Sequence, residues 1–157
     1  MPSQKIQINA PQAEVFNYLA DISKHGEWGN PSQKLHVAKT SAGPIERGST
    51  FESTGQQFGK QEDTVTITEY APSHRVAYES QGKAGTVRHS FEITPSGSGV
   101  EVEKSFEVVK AGFPFVIFQP IVTSFLVPKA LKQDLERIKA KMESTAGGSW
   151  RVVGCEW

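Results

Sequence analysis

Four polar side chains fall where strand alternation turns them toward an apolar face. In residues 86–94, His89 shares a parity with Val87, Phe91 and Ile93, against Arg88, Ser90 and Glu92. In residues 100–109, Lys104 shares one with Val102 and Phe106. Asp63 stands two residues before Val65 and four before Ile67, and Tyr78 two after Val76. An ionised group on such a face needs a partner, water or a shifted pKa. A lysine and a histidine on adjacent hairpin strands can hydrogen-bond a carbonyl or carboxylate, and a histidine can serve as a general base. Ordinary readings compete. Lys104 can reach a rim on its aliphatic stem, Asp63 can lie in water at a strand end, and a bulge would reverse the parity. His89 is expected to be neutral near pH 7 and held by one or two hydrogen bonds, with Tyr78 on the next strand as a partner.

Other chemistries lack their residues. His25, His36 and His74 are far apart from one another and from His89, without paired metal-ligand spacing. His25, beside Gly26 and Glu27, reads as a solvated turn residue. No G-x-S-x-G elbow and no glycine-rich phosphate loop occurs. The single cysteine, Cys155, permits no intrachain disulfide. Neither metal nor cofactor is expected. Lys and Arg total 17, as do Asp and Glu, which argues against a nucleic-acid partner. Residues 113–127 are the most apolar stretch, but 15 residues with two prolines are too short to span a bilayer. No integral membrane contact is expected, and the start lacks the apolar run of a secretory signal. The expectation is a soluble, cytoplasmic protein, monomer or homodimer.

The elements that would position these groups follow from periodicity. Residues 5–9 alternate as a short strand, and Pro11 opens a helix whose Val15, Phe16, Leu19 and Ile22 fall at helical spacing. A turn-rich stretch carrying Trp28 follows. Residues 33–39, 49–54, 61–70, 75–80, 86–94 and 100–109 then read as six strands separated by turns. One wet and one covered face implies an antiparallel sheet. The cover is a long C-terminal helix, with Leu131, Leu135, Ile138 and Met142 on one stripe and a break near Pro120 or Pro128. Its Lys129, Lys132, Arg137, Lys139 and Lys141, interleaved with Asp134, Glu136 and Glu143, read as a solvated face. One domain is expected over residues 1–143, with a tail at 144–157 of unassigned role.

Three stretches resemble the START and Bet v 1-like (SRPBCC) superfamily, in its polyketide cyclase/dehydrase and lipid-transport branch. They are IQINAPQAEVFNYLADISKHGEW at residues 6–28, the strand-turn-strand at 65–78, and LKQDLERIKAKME at 131–143. The resemblance implies an α+β helix-grip fold: a curved antiparallel sheet of about seven strands wrapped around a long C-terminal helix, with short N-terminal helices. It also implies a cavity between sheet and helix. The inward parity then supplies Phe51, Val65, Ile67, Val76, Tyr78, His89, Phe91, Val102, Lys104 and Phe106 as lining. The helix supplies Phe115, Phe118, Val122, Phe125 and Leu126, with Phe118, Val122 and Phe125 facing Phe91 and Phe106. Trp28 is expected at one mouth. Each of these also reads as ordinary core.

Two functions fit. One is a binding module for a small hydrophobic molecule such as a lipid, isoprenoid, quinone or polyketide. This is the preferred reading. The alternative is a cyclase or dehydratase using His89 as acid/base. A lesser third is protein interaction through exposed parts of residues 113–127.

Overall fold

Alternation over six segments and the short N-terminal strand produces the seven strands expected. A computed structural model describes residues 2–56, 60–83, 85–113 and 115–154, with residue 115 and the last ten described by their backbone alone. The strands are β1 (Ser3–Ile8), β2 (His36–Lys39), β3 (Thr50–Gln56), β4 (Lys60–Ala71), β5 (Arg75–Gly82), β6 (Gly85–Ser96) and β7 (Gly99–Ala111). They form one antiparallel sheet in the order β1-β7-β6-β5-β4-β3-β2. Consecutive strands are neighbours from β2 to β7, and β1 returns to the β7 edge. Gly97, at φ 58°, makes the tight turn between β6 and β7.

The helices are α1 (Gln12–Ala20), α2 (His25–Trp28), α3 (Phe115–Ile121) and α4 (Val127–Gly154), with a π turn at Val122–Leu126 between the last two. Pro11 is the N-cap of α1, one residue earlier than expected, and its carbonyl accepts from Val15 N at 3.1 Å. The helix break lies between the two prolines named from sequence. Pro120 has no N–H to donate, and the Thr123 hydroxyl donates to the Gln119 carbonyl at 2.8 Å across the widened turn. α4 runs through the expected boundary at residue 143, and Cys155 lies outside the described residues.

The core lies on the concave face. Phe51, Val65, Ile67, Val76, Phe91, Ile93 and Val102 meet Val15, Phe16 and Leu19 of α1 and Leu135, Ile138 and Met142 of α4. One irregularity changes the parity read from sequence. Ile67 pairs with Tyr78 but Glu69 with Ala77, so Thr68 is an extra residue in β4. Beyond this bulge Glu69 points out to Arg75, and Tyr70 turns in against Phe16, ring centroids 5.2 Å apart.

A buried ion pair fastens α4 to the sheet. Lys104 of β7 is 1% exposed, and its Nζ donates to Asp134 Oδ2 at 2.9 Å. The ammonium also lies 4.9 Å from the Trp28 ring centroid and 5.7 Å from that of Phe91. Arg137 Nη1 donates to Asp134 Oδ1 at 3.0 Å and to the Trp28 carbonyl at 3.2 Å. The solvated-face reading of α4 is therefore corrected. Lys129, Lys132, Glu136 and Lys141 are exposed, but Asp134 points inward because it sits one residue from the Leu131–Leu135–Ile138 stripe. Lys139 and Glu143 bind β1 and its exit, through the Gln7 carbonyl at 2.7 Å and Asn9 N at 2.9 Å.

Removing one member of a buried pair leaves the other charge uncompensated, at a cost of about 3–5 kcal/mol. Asp134→Asn should lower unfolding stability in urea by that amount. The double change Lys104→Met with Asp134→Leu should recover most of it. Equal losses in the single and double variants would show that packing, not charge, holds α4 in place.

Candidate functional site

Cross-strand register assembles the site. Tyr78 on β5 is directly opposite His89 on β6, which is opposite Phe106 on β7. The Tyr78 and His89 rings stack at 5.1 Å, 22° from parallel. Phe106 meets His89 edge-on at 5.3 Å. A fourth ring arrives from α2: His25 lies 6.1 Å from His89 and 6.4 Å from Tyr78, both edge-on, and stacks on Trp28 at 4.1 Å. Trp28 is edge-on to Phe91 at 5.6 Å. The rings form a continuous band from Phe106 to Phe91, with the Lys104–Asp134 pair at the Phe91 end.

His25 was misjudged from its polar neighbours. His25 and Trp28 are three apart on one helical turn, so their rings share a face. Gly26 lets that turn approach closely, since a Cβ there would stand 2.5 Å from the Leu35 carbonyl oxygen. The i, i+3 spacing around a glycine was the available signal. Trp28 is 1% exposed and belongs to the core, not to a mouth. Its indole is covered by His25, Phe91 and the Lys104 ammonium.

Burial dominates the electrostatics. It lowers the His25 pKa to about 3, with the Lys104 charge acting in the same direction. It also holds His89 well below the ordinary imidazole range, aided by Lys104 and His25. Burial pushes the Tyr78 phenol upward, and the Asp134 charge adds to this. Both imidazoles and the phenol are thus neutral near pH 7. The hydrogen bonds expected for His89 are not those observed. Its Nδ1 and the Tyr78 hydroxyl are each buried with no hydrogen-bond partner among the described residues. The two rings meet face to face, and no hydrogen bond joins them.

The other expected lining residues divide into two groups. Phe51, Val65, Ile67 and Phe91 are at most 3% exposed, within the packed core. Asp63 is partly buried, accepts from the Gln61 amide and stands on β4, two strands away from His89. The helical residues depart from expectation. Phe118 is 55% exposed, Phe125 73% and Leu126 57%, while Val122 is partly buried. At about 100° per residue, Phe118 and Phe125 lie about 120–180° from the Val127 and Leu131 positions that face the sheet. The π turn shifts this phase without reversing it. The Phe115 side chain lies outside what is described.

An open cleft of about 420 Å³ runs between the β1–β7 edge and the α3 segment, lined by Pro2, Phe106, Glu107, Val108, Gln119 and Thr123. Phe106 belongs to this cleft and to the ring band alike. No cluster of three or more His, Cys, Asp or Glu able to hold a metal occurs among the described residues.

Comparison with curated proteins finds no match. Solved structures do resemble the chain. The Zhui aromatase/cyclase from Streptomyces sp. R1128 is 12% identical with a TM-score of 0.72, over 92% of this chain and 93% of that one. The protein TTHA0849 from Thermus thermophilus is 14% identical with a TM-score of 0.70, over 92% and 97%. Ara h 8.0201 is 14% identical with a TM-score of 0.59, over 90% and 96%. These likenesses establish the helix-grip fold. Residues 3–143 match the family described as "Polyketide cyclase / dehydrase and lipid transport", so the chain belongs to that family.

Proposed function

We propose that the protein binds a small hydrophobic molecule of the lipid, isoprenoid, quinone or polyketide kind through one neutral oxygen function. The observation that carries this reading is the pair of buried, unpartnered polar atoms, Tyr78 Oη and His89 Nδ1, set in a band of aromatic rings. A buried polar atom left unpaired costs about 1–3 kcal/mol, and a ligand carbonyl or hydroxyl between the two would recover that cost. Lys104 is already neutralised by Asp134, so the anchor suits a neutral oxygen better than a carboxylate. The cleft bordered by Phe106 is the route in, with that ring moving aside to admit the ligand.

A second reading keeps His89 as the acid/base of a cyclase or dehydratase. It rests on the imidazole being held as the free base beside a phenol. The two readings separate on substitution. Mass spectrometry under native conditions should find an apolar molecule bound, and Nile red, an apolar dye with one carbonyl, serves as a probe. Tyr78→Phe should raise the stability of the ligand-free protein by about 1 kcal/mol and weaken binding by about tenfold. Lower stability with unchanged binding would remove Tyr78 from the site. His89→Gln should also weaken binding by about tenfold or less. Normal binding by this variant, with a turnover lost by a hundredfold or more, would establish the catalytic reading instead.

The neutral histidines also set a pH dependence. An imidazole whose folded pKa lies below its unfolded value of about 6.5 is more readily protonated in the unfolded chain. Its contribution is therefore complete above pH 6.5 and is lost as pH falls toward the folded pKa. Between pH 6.5 and 5, His25 should cost about 2 kcal/mol of stability, and His89 should add to the loss in the same direction. Urea unfolding at several pH values measures this, and His89→Phe should make the slope shallower. A flat profile over that window would show that burial does not hold the rings neutral.

A further inference from the structure

Large exposed apolar side chains concentrate in one segment. Phe113, Val116, Ile117, Phe118, Ile121, Phe125 and Leu126 are each at least 50% exposed and lie within 14 residues. Val109, at 45%, is the other such side chain among the described residues. Exposed patches of this kind mark interaction surfaces. The charge flanking this one along the chain is of a single sign. Residues 111–128 carry no charged side chain, and exposed Lys110, Lys129 and Lys132 flank them. No Asp or Glu occurs between Glu107 and Asp134, in a chain whose net charge is zero. Both bordering acids are engaged, Glu107 with Arg88 at 3.5 Å and Asp134 with Lys104.

From this arrangement we infer that α3 and the π turn dock on an anionic lipid surface. The apolar side chains would enter the headgroup–acyl boundary, and Lys110, Lys129 and Lys132 would meet the lipid charges. Aromatic and aliphatic side chains edged by lysines are what such an interface accepts. A fluid apolar phase also imposes no shape on the seven side chains. No helix of the described residues is long and apolar enough to cross a membrane, so the contact is peripheral. The site's position adds a reason. Gln119 and Thr123, on the sheet-facing side of the same segment, line the cleft that Phe106 shares with the ring band. An apolar molecule leaving the bilayer would enter the protein without crossing water. This last point rests on the ligand-binding reading, while the docking itself does not.

Vesicle flotation tests the docking with no ligand added. Full-length protein should float with phosphatidylcholine vesicles containing about 30% phosphatidylserine, more weakly with phosphatidylcholine alone, and less as salt rises. Phe118→Glu with Phe125→Glu should weaken binding at least about tenfold. Lys110→Gln should cost about fivefold on anionic vesicles and nothing on neutral ones. An unchanged near-ultraviolet circular dichroism spectrum would establish that the variants fold. The inference is overturned if the folded wild type floats with neither vesicle. It is equally overturned if sedimentation shows a dimer that the Phe118/Phe125 variant abolishes while no vesicle binding occurs, since a second copy would then cover the patch. Nile red uptake in vesicle-free solution reads the ligand site separately, so either reading can fail alone.

Discussion

An ammonium group in the middle of an apolar sheet face cannot be left alone, and much of the architecture answers to that constraint. Lys104 reaches carboxylate only if α4 crosses β7 with Asp134 turned inward. That crossing lays Leu135 and Ile138 on the sheet and leaves Arg137 free to hold the Trp28 carbonyl. With Trp28 fixed over Lys104, the single turn α2 is oriented, and His25 is carried to the edge of the Tyr78–His89 stack. The same charge disfavours protonation of both imidazoles. One buried cation thus sets a helix position and an indole position, and adds to the burial that keeps two rings neutral.

The interior divides into unequal halves. Under α1, the concave face is closed by aliphatic and aromatic packing around Phe16, Phe51 and Val76. Toward β7 and α3 the cover is thinner, and the polar rings lie there. The rigid half resembles the core of any α+β domain. The other has two of the three buried polar atoms without protein partners among the described residues, a cleft at its border and a helix interrupted by a proline and a π turn. Interrupted helices and unpaired buried groups are where local opening costs least. Ligand entry and membrane contact are both assigned to this half.

The regular parts of the fold were legible because each obeys one period. Val100, Val102, Lys104 and Phe106 keep strict alternation, and so their faces follow from counting. Leu131, Leu135, Ile138 and Met142 keep one helical phase. What escaped involves a change of period or a contact between distant elements. Thr68 adds one residue to β4, a change that its neighbours do not announce. Phe118 and Phe125 read as inward by apolarity, although phase counting from Leu131 places them well off the sheet-facing stripe. Asp134 and His25 look solvated among their sequence neighbours. Their inward placement depends on Lys104 for Asp134 and on Tyr78 and His89 for His25, which arrive from other elements.

The sheet order carries a consequence for how the chain reaches this structure. Ser3 pairs with Ser105, about a hundred residues later, and β1 has no other strand neighbour among the described residues. Strands β2 to β7 can zip in sequence, each hairpin templating the next. The first strand must wait for the seventh, and α4, which bridges Gln7 and Asn9, comes later still. Closing so long a loop carries most of its entropic cost before any contact rewards it, and such topologies fold slowly. On the ribosome, the amino-terminal segment would therefore emerge first and settle among the last. Until then Ile6, Ile8 and the β7 edge would be open to wrong partners, a window in which chaperone binding would have its greatest effect.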